Sequence, residues 1–207
     1  MIVVLDLGFG NVASVLNMLK KVGVSACLAD NKSTLASANG IILPGVGSFD
    51  TCMKLLRKDC DLLEELEKKV LSDKIPFLGI CIGMQMLFDG SDEGNESGLG
   101  WIPGHVNKFI FDDNKTKIPH MGWNELNPEN NGGGLIDLQT ISRFYFVHSY
   151  YVKCTNPINS IAGVEYGGKR FTVAVNHENI YGVQFHPEKS HKFGLNLLKT
   201  FSKISNV

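Results

Sequence analysis

The sequence predicts an α/β fold: a mainly parallel sheet flanked by helices, with antiparallel hairpins added in the second half. Three observations carry this. Short apolar runs alternate with helix-period segments through the first half, the pattern of βαβ units. An apolar run meets a helix-like run at a Gly-x-Cys-x-Gly apex, residues 79–83. Beyond residue 90, glycine-rich and polar stretches separate short strand-like segments, as added hairpins require.

Residues 1–7 are apolar enough for a buried strand, and 12–22 set Val12, Val15, Leu16, Leu19 and Val22 on one helical face. Residues 24–29 and 40–43 read as the next strands, and 50–72 as one or two helices with Lys and Glu in solvent. Residues 76–80 form the strand entering the apex, and Met84-Gln85-Met86-Leu87-Phe88 the helix leaving it. Sheets of this kind hold their ligand crevice beyond the carboxyl ends of the strands, where Cys81 would stand. Further strand-like segments lie at 104–111, 143–152, 161–166, 170–175 and 179–185. The Asn/Gly cluster 127–134 reads as a surface loop, and 190–204 as a closing amphipathic helix. With no internal repeat or low-complexity tail, residues 1–207 are expected to form a single domain.

Composition narrows the function classes. A formal charge of −1 leaves no electrostatic footprint for nucleic acid, and no basic run suggests a membrane surface. No apolar stretch approaches the ~20 residues of a membrane-spanning helix. The N-terminus lacks a basic leader and meets Asp6 early, which argues against a signal peptide. The five cysteines (27, 52, 60, 81, 154) form no C-x-x-C pair and are odd in number. Neither a disulfide framework nor a zinc site is expected; a reducing cytoplasm fits best. No cofactor is expected.

Gly79-Ile80-Cys81-Ile82-Gly83 has the construction of a nucleophile elbow: strand, sharp turn, helix, with a nucleophile at the apex. A side chain at either glycine would collide in so tight a turn. The dipole of the following helix favours the thiolate. Against this stands the commonest fate of a free cysteine, which is a buried packing role.

A cysteine nucleophile needs a base, and the base an orienting group. His186 ends the apolar run 181–185 and is followed by Pro187-Glu188. In an extended segment i and i+2 share a side, and Pro187 favours that geometry at His186. Glu188 is then placed to accept the proton on one imidazole nitrogen while the other faces the thiol. Oxyanion donors could come from the backbone N–H of Ile82 and from Pro44-Gly45-Val46-Gly47. Gln85, four residues after Cys81, shares its helical face.

Gly-Ile-Cys-Ile-Gly-Met-Gln at 79–85, His186-Pro187-Glu188 and Pro44-Gly45-Val46-Gly47 together resemble the class I, triad-type, glutamine amidotransferases. The other glutaminase class uses an N-terminal cysteine, and residue 2 here is Ile. Within class I the chain is similar to the HisH family, the glutaminase subunits of imidazole glycerol phosphate synthase. That similarity spans essentially the whole chain. It is carried by 6–11 (Asp-Leu-Gly-Phe-Gly-Asn), 98–100, 103–104, 119–124 (Pro-His-Met-Gly-Trp-Asn), 148–150 (His-Ser-Tyr) and 185–190 (Phe-His-Pro-Glu-Lys-Ser).

The resemblance implies a flavodoxin-like fold and a Cys81, His186, Glu188 triad that hydrolyses L-glutamine to glutamate and ammonia. It implies that Val46, Gly47 and Ile82 form the oxyanion hole, through a peptide at Val46 that reorients when the partner is loaded. Gln85, Glu93, His148, Ser149 and Tyr150 match glutamine-binding residues, with Glu93 suited to the α-ammonium. Asn11, Pro119, His120, Trp123, Tyr145 and Lys189 match the interface with a HisF-type (β/α)8 barrel synthase. That heterodimer would channel ammonia to a phosphoribulosyl nucleotide, giving imidazole glycerol phosphate and AICAR in histidine biosynthesis. Paralogues that aminate sugars for surface polysaccharides stay open as the alternative. Trp101, where an aliphatic residue is more usual, and the long Asn/Gly loop depart from the pattern. An inactive amidotransferase-like subunit and a stand-alone thiol hydrolase are the rivals; the intact triad and the interface segments speak against them.

Overall fold

The computed structural model describes residues 1–112, 115–137 and 141–207. Its first half runs β1 (Ile2–Leu5), α1 (Val12–Lys21), β2 (Ala26–Ala29), α2 (Lys32–Ala36), β3 (Gly40–Gly45), α3 (Phe49–Lys58), α4 (Cys60–Glu67), β4 (Phe77–Cys81) and α5 (Ile82–Gln85). Successive side chains of a strand point to opposite faces, and every residue of β1, β3 and β4 is buried. These strands are therefore covered on both sides, which explains their uninterrupted apolar runs.

Two features complete the expected pattern of one or two helices over 50–72 and strands before them. The helical stretch 50–72 divides at Asp59, whose carboxylate accepts the N–H of Leu62 at 3.0 Å and starts a new helix. The one-turn helix α2 is additional; Asn31 caps it by accepting the N–H of Thr34.

The second half contains β5 (Gly104–Lys108), β6 (His120–Glu125), β7 (Asn127–Pro128), β8 (Arg143–His148), β9 (Tyr150–Cys154), β10 (Ser160–Tyr166), β11 (Lys169–His177), β12 (Ile180–Val183) and α6 (His191–Ile204). The principal path across the sheet is β2-β1-β3-β4-β12-β11-β10-β7. From β2 to β12 the pairings are parallel, and from β12 onward antiparallel. The expected parallel core with hairpins appended is thus the observed sheet.

The segment 143–152 is two strands rather than one. They separate at Ser149 because β8 pairs with β6 in a small sheet while β9 pairs with β5. The cluster 127–134 is likewise more than a surface loop. It supplies β7 to the sheet edge and then turns through a 3₁₀ segment, Asn130–Gly134. Residues 130–134 all have positive φ, between 44° and 74°, which accounts for their Asn and Gly composition. Trp101 is buried, its ring edge-to-face with Phe77 at 5.3 Å. Among the described residues no helix is long and apolar enough to cross a membrane.

Candidate active site

Cys81 is the last residue of β4 and the residue before α5. Its backbone has φ 56° and ψ −109°, a conformation that L-residues rarely adopt and that concentrates at functional turns. The flanking glycines meet a different need. A Cβ on Gly79 would overlap the carbonyl of Gly83, and one on Gly83 the carbonyl of Leu43. The collision expected from the sequence is real, but the strained dihedral belongs to the cysteine.

Parallel register decides the neighbours of Cys81. On one side Gly45 pairs with Cys81; on the other Val183 pairs with Ile80. The continuations of β3 and β12 therefore flank the thiol. Beyond β12 comes His186, whose backbone N–H is held by the carbonyl of Tyr145 at 2.9 Å. Its Nδ1 lies 2.9 Å from Oε1 of Glu188, and both side chains are only 2% exposed. The route between them differs from the expected strand alternation. His186 itself is extended, but Pro187–Lys189 form a 3₁₀ turn that folds Glu188 back under the ring. Ser190 closes this turn, donating to the carbonyl of His186 at 2.6 Å and accepting the N–H of Tyr145 at 3.0 Å.

Burial alone would depress the basicity of His186. Interaction with Cys81 and with the Glu188 carboxylate outweighs it, and its pKa is raised to about 9. The ring thus holds a proton near neutral pH, with Nε2 left free of any other partner among the described residues.

A cavity of about 340 Å³ opens beside the thiol. Val46, Gly47, Cys81, Ile82, Gln85, Glu93, His148, Ser149, Tyr150 and His186 line it, with Pro119 and Lys189 among its walls. Every expected oxyanion and substrate residue is therefore brought together, while Glu188 stands behind His186. Gly47 has φ +124°, open to glycine alone. The Sγ of Cys52, on α3, lies 4.0 Å from the carbonyl of Val46. Burial first, then Glu93 and Cys81, push that thiol up to about 12, so it stays protonated. Glu93 accepts the N–H of Phe49 at 2.9 Å, which ties the cavity to the start of α3. Oε1 of Gln85, buried, has no partner among the described residues.

The residues expected at a partner face divide. Trp123 is 41% exposed and stacks on His191 with rings 3° from parallel. Lys189 is exposed with its Nζ over the Tyr145 ring, Pro119 is exposed, and Asn11 is half-buried at the start of α1. Ile118 and Met121 are also exposed beside them. His120 is the exception. Its side chain is 3% exposed and turned inward onto His148, because alternation along β6 sends it to the face opposite Met121. His148, in turn, has both ring nitrogens engaged within the protein, so it offers the cavity its ring surface.

One site residue was missed from sequence. Gln184 is fully buried, and its Nε2 lies 3.7 Å from the sulfur of Cys81. Its position two residues before His186 in an alternating segment was the available signal.

The sequence profile of the family described as Glutamine amidotransferase class-I matches residues 3–203. The Imidazole glycerol phosphate synthase subunit HisH of Bdellovibrio bacteriovorus is 48% identical over 206 residues, covering 99% of this chain and all of the relative. The subunit HisH 2 of Methanococcus maripaludis is 48% identical over 203 residues, covering 98% and 99%. A solved structure described as a glutamine amidotransferase superposes with a TM-score of 0.77 over 100% of this chain and 99% of that one. At 22% identity it speaks for the fold alone. With the profile running from the first strand into the last helix, and relatives nearly half identical along their whole length, this chain belongs to the class-I glutamine amidotransferases.

Proposed function

We propose that residues 1–207 act as one glutamine amidotransferase domain, the HisH-type glutaminase subunit of an imidazole glycerol phosphate synthase. The observation that carries the chemistry is the pair Cys81 and His186 at the wall of a cavity that also holds Gln85 and Glu93, with Glu188 behind His186. In this reading the thiolate of Cys81 attacks the side-chain amide carbon of glutamine. The backbone N–H of Ile82 and the peptide at Val46–Gly47 receive the oxyanion. Collapse breaks the C–N bond, and the proton on His186 leaves with ammonia. Water then hydrolyses the thioester to glutamate, with His186 as base and Glu188 orienting its ring.

Ammonia released into water would be protonated and lose its nucleophilicity, so a subunit that makes it needs an acceptor site in sealed contact. The exposed apolar row Ile118, Pro119, Met121 and Trp123, beside Lys189 at the cavity, supports docking of a HisF-type (β/α)8 barrel synthase. The heterodimer would pass ammonia through an internal channel to the nucleotide of histidine biosynthesis, in the cytoplasm.

The test is co-purification with the barrel subunit, followed by glutaminase assays with and without the partner's nucleotide. Turnover that depends on Cys81 and rises with nucleotide is expected. Turnover retained in Cys81→Ala overturns the nucleophile. Turnover indifferent to the nucleotide overturns the histidine-pathway assignment and favours the sugar-aminating paralogues.

A further inference from the structure

We infer that Gln184 is a direct partner of the nucleophile: its amide donates a hydrogen bond to the Cys81 sulfur and fixes the orientation of Gln85. The inference rests on the glutaminase reading only where it names the substrate that Gln85 meets.

The placement follows from register. Strand β12 pairs in parallel with β4 through Val183 and Ile80, so the next residues, Gln184 and Cys81, stand side by side at the end of that pairing. The backbone of Gln184 is pinned from the other side, its N–H donating to the carbonyl of Val173 at 2.8 Å. The side chain is fully buried, among neighbours in sequence that are apolar: Val183 and Phe185. Burying an amide is unfavourable unless both its ends are used. Here both are. Nε2 points to Cys81 Sγ at 3.7 Å, and Oε1 accepts Nε2 of Gln85 at 3.0 Å.

The chemistry gives this arrangement a purpose. An N–H donor gains little from a neutral thiol and much more from a thiolate, where the bond is charge-assisted. The same amide settles Gln85. Because Oε1 of Gln184 needs a donor, Gln85 must offer its NH₂ there, which leaves Oε1 of Gln85 as the buried acceptor without a partner among the described residues. That acceptor belongs to a residue lining the cavity, where a substrate N–H can meet it. One buried amide thereby links the state of the sulfur to the recognition of substrate.

The experiment compares the full chain with Gln184→Met, which keeps the length and loses the donor, and Gln184→Glu, which keeps the shape and substitutes an acceptor. The readout is alkylation of Cys81 by iodoacetamide as a function of pH, quantified at the Cys81 peptide. In that reaction the thiolate displaces iodide, forming a C–S bond as C–I breaks, so the rate follows the thiolate. Gln184→Met should slow it roughly tenfold near neutral pH and move the profile to higher pH. Gln184→Glu should slow it further, since a carboxylate repels the thiolate. In glutamine assays KM should rise as well. A wild-type alkylation profile in either folded variant overturns the inference. Should neither variant fold, the Gln184 side-chain NH₂ resonance of the native chain decides: it must shift when Cys81 is alkylated, and indifference overturns the inference. Alkylation needs no glutamine, so this test stands even if the substrate assignment fails.

Discussion

Nδ1 of His120 donates to Nε2 of His148 across 2.9 Å, in the protein interior. The tautomers follow from the ends of the chain. The carbonyl of Tyr150 accepts from Nδ1 of His148 at 2.7 Å, so Nε2 of His148 must accept. His120 then donates through Nδ1 and accepts from the amide of Asn124 at 3.3 Å, which also donates to the carbonyl of Glu165. A single directional chain of hydrogen bonds runs from β6, next to exposed Trp123, to the Ser149–Tyr150 wall of the cavity.

Both imidazoles are held neutral. Burial pushes His120 down to about 4; burial, with His120 and His186 adding to it against the Tyr150 carbonyl, pushes His148 down to about 3. The unfolded chain takes up these protons first, near pH 6.5, so their stability contribution is present above that value and lost as pH falls toward 4. Each histidine should contribute a slope of up to roughly 1.4 kcal/mol per pH unit in that window. His120→Phe keeps the ring packing against Phe146 and removes one titration. Urea unfolding between these pH values should show a shallower fall for the variant, and equal slopes would rule the account out.

His186 has the opposite sign. Its pKa is raised to about 9, so the stability it contributes is complete below 6.5 and is lost as pH rises through 9. Glu188→Gln removes the charge that supports the imidazolium. Glutamine turnover should drop by roughly a hundredfold or more, and the alkaline loss of stability should flatten. A variant whose turnover and alkaline unfolding match the wild type would contradict the triad geometry.

The elbow is a packing constraint as well as the proposed seat of the nucleophile. Gly83→Ala drives a methyl group into the Leu43 carbonyl, which belongs to the neighbouring strand β3 and cannot rotate away. Thermal or urea unfolding should register a loss of about 1–3 kcal/mol, with turnover abolished as α5 shifts. Unchanged stability would mean that the strand and helix are less closely apposed than described.

Trp123→Ala tests the proposed docking face. The ring is 41% exposed and rests on His191, so its removal should leave the unfolding midpoint of the isolated chain nearly unchanged. Affinity for the proposed barrel partner should weaken by about 2 kcal/mol or more. Calorimetric titration separates the two effects; a destabilised chain with unaltered affinity would make the tryptophan a core residue.

Much of the fold was legible because its signals are local. Apolar runs such as Ile41-Ile42-Leu43, helical spacing from Val12 to Leu19, and glycines about Cys81 each act within a few residues. What stayed hidden was partnership. Nothing within 143–152 says that Ser149 divides two strands bound for different sheets, since that depends on β6 and β5 elsewhere in the chain. The Asn/Gly run looked like a loop because consecutive left-handed residues resemble one in composition, whatever strand they lead from.

The sequence by itself determined the elbow that carries Cys81, for a strand, a glycine-framed apex and a helix are read from adjacent residues. It also determined that His186 and Glu188 belong together. Only the tertiary structure decided how they meet, through a 3₁₀ turn in place of strand alternation. Only it turned His120 from the surface to the interior, and set Gln184 against a sulfur 103 residues away. The physical reason is the same in each case. Side-chain direction is local, but what stands opposite is chosen by strand register, and register joins segments that are remote in the chain.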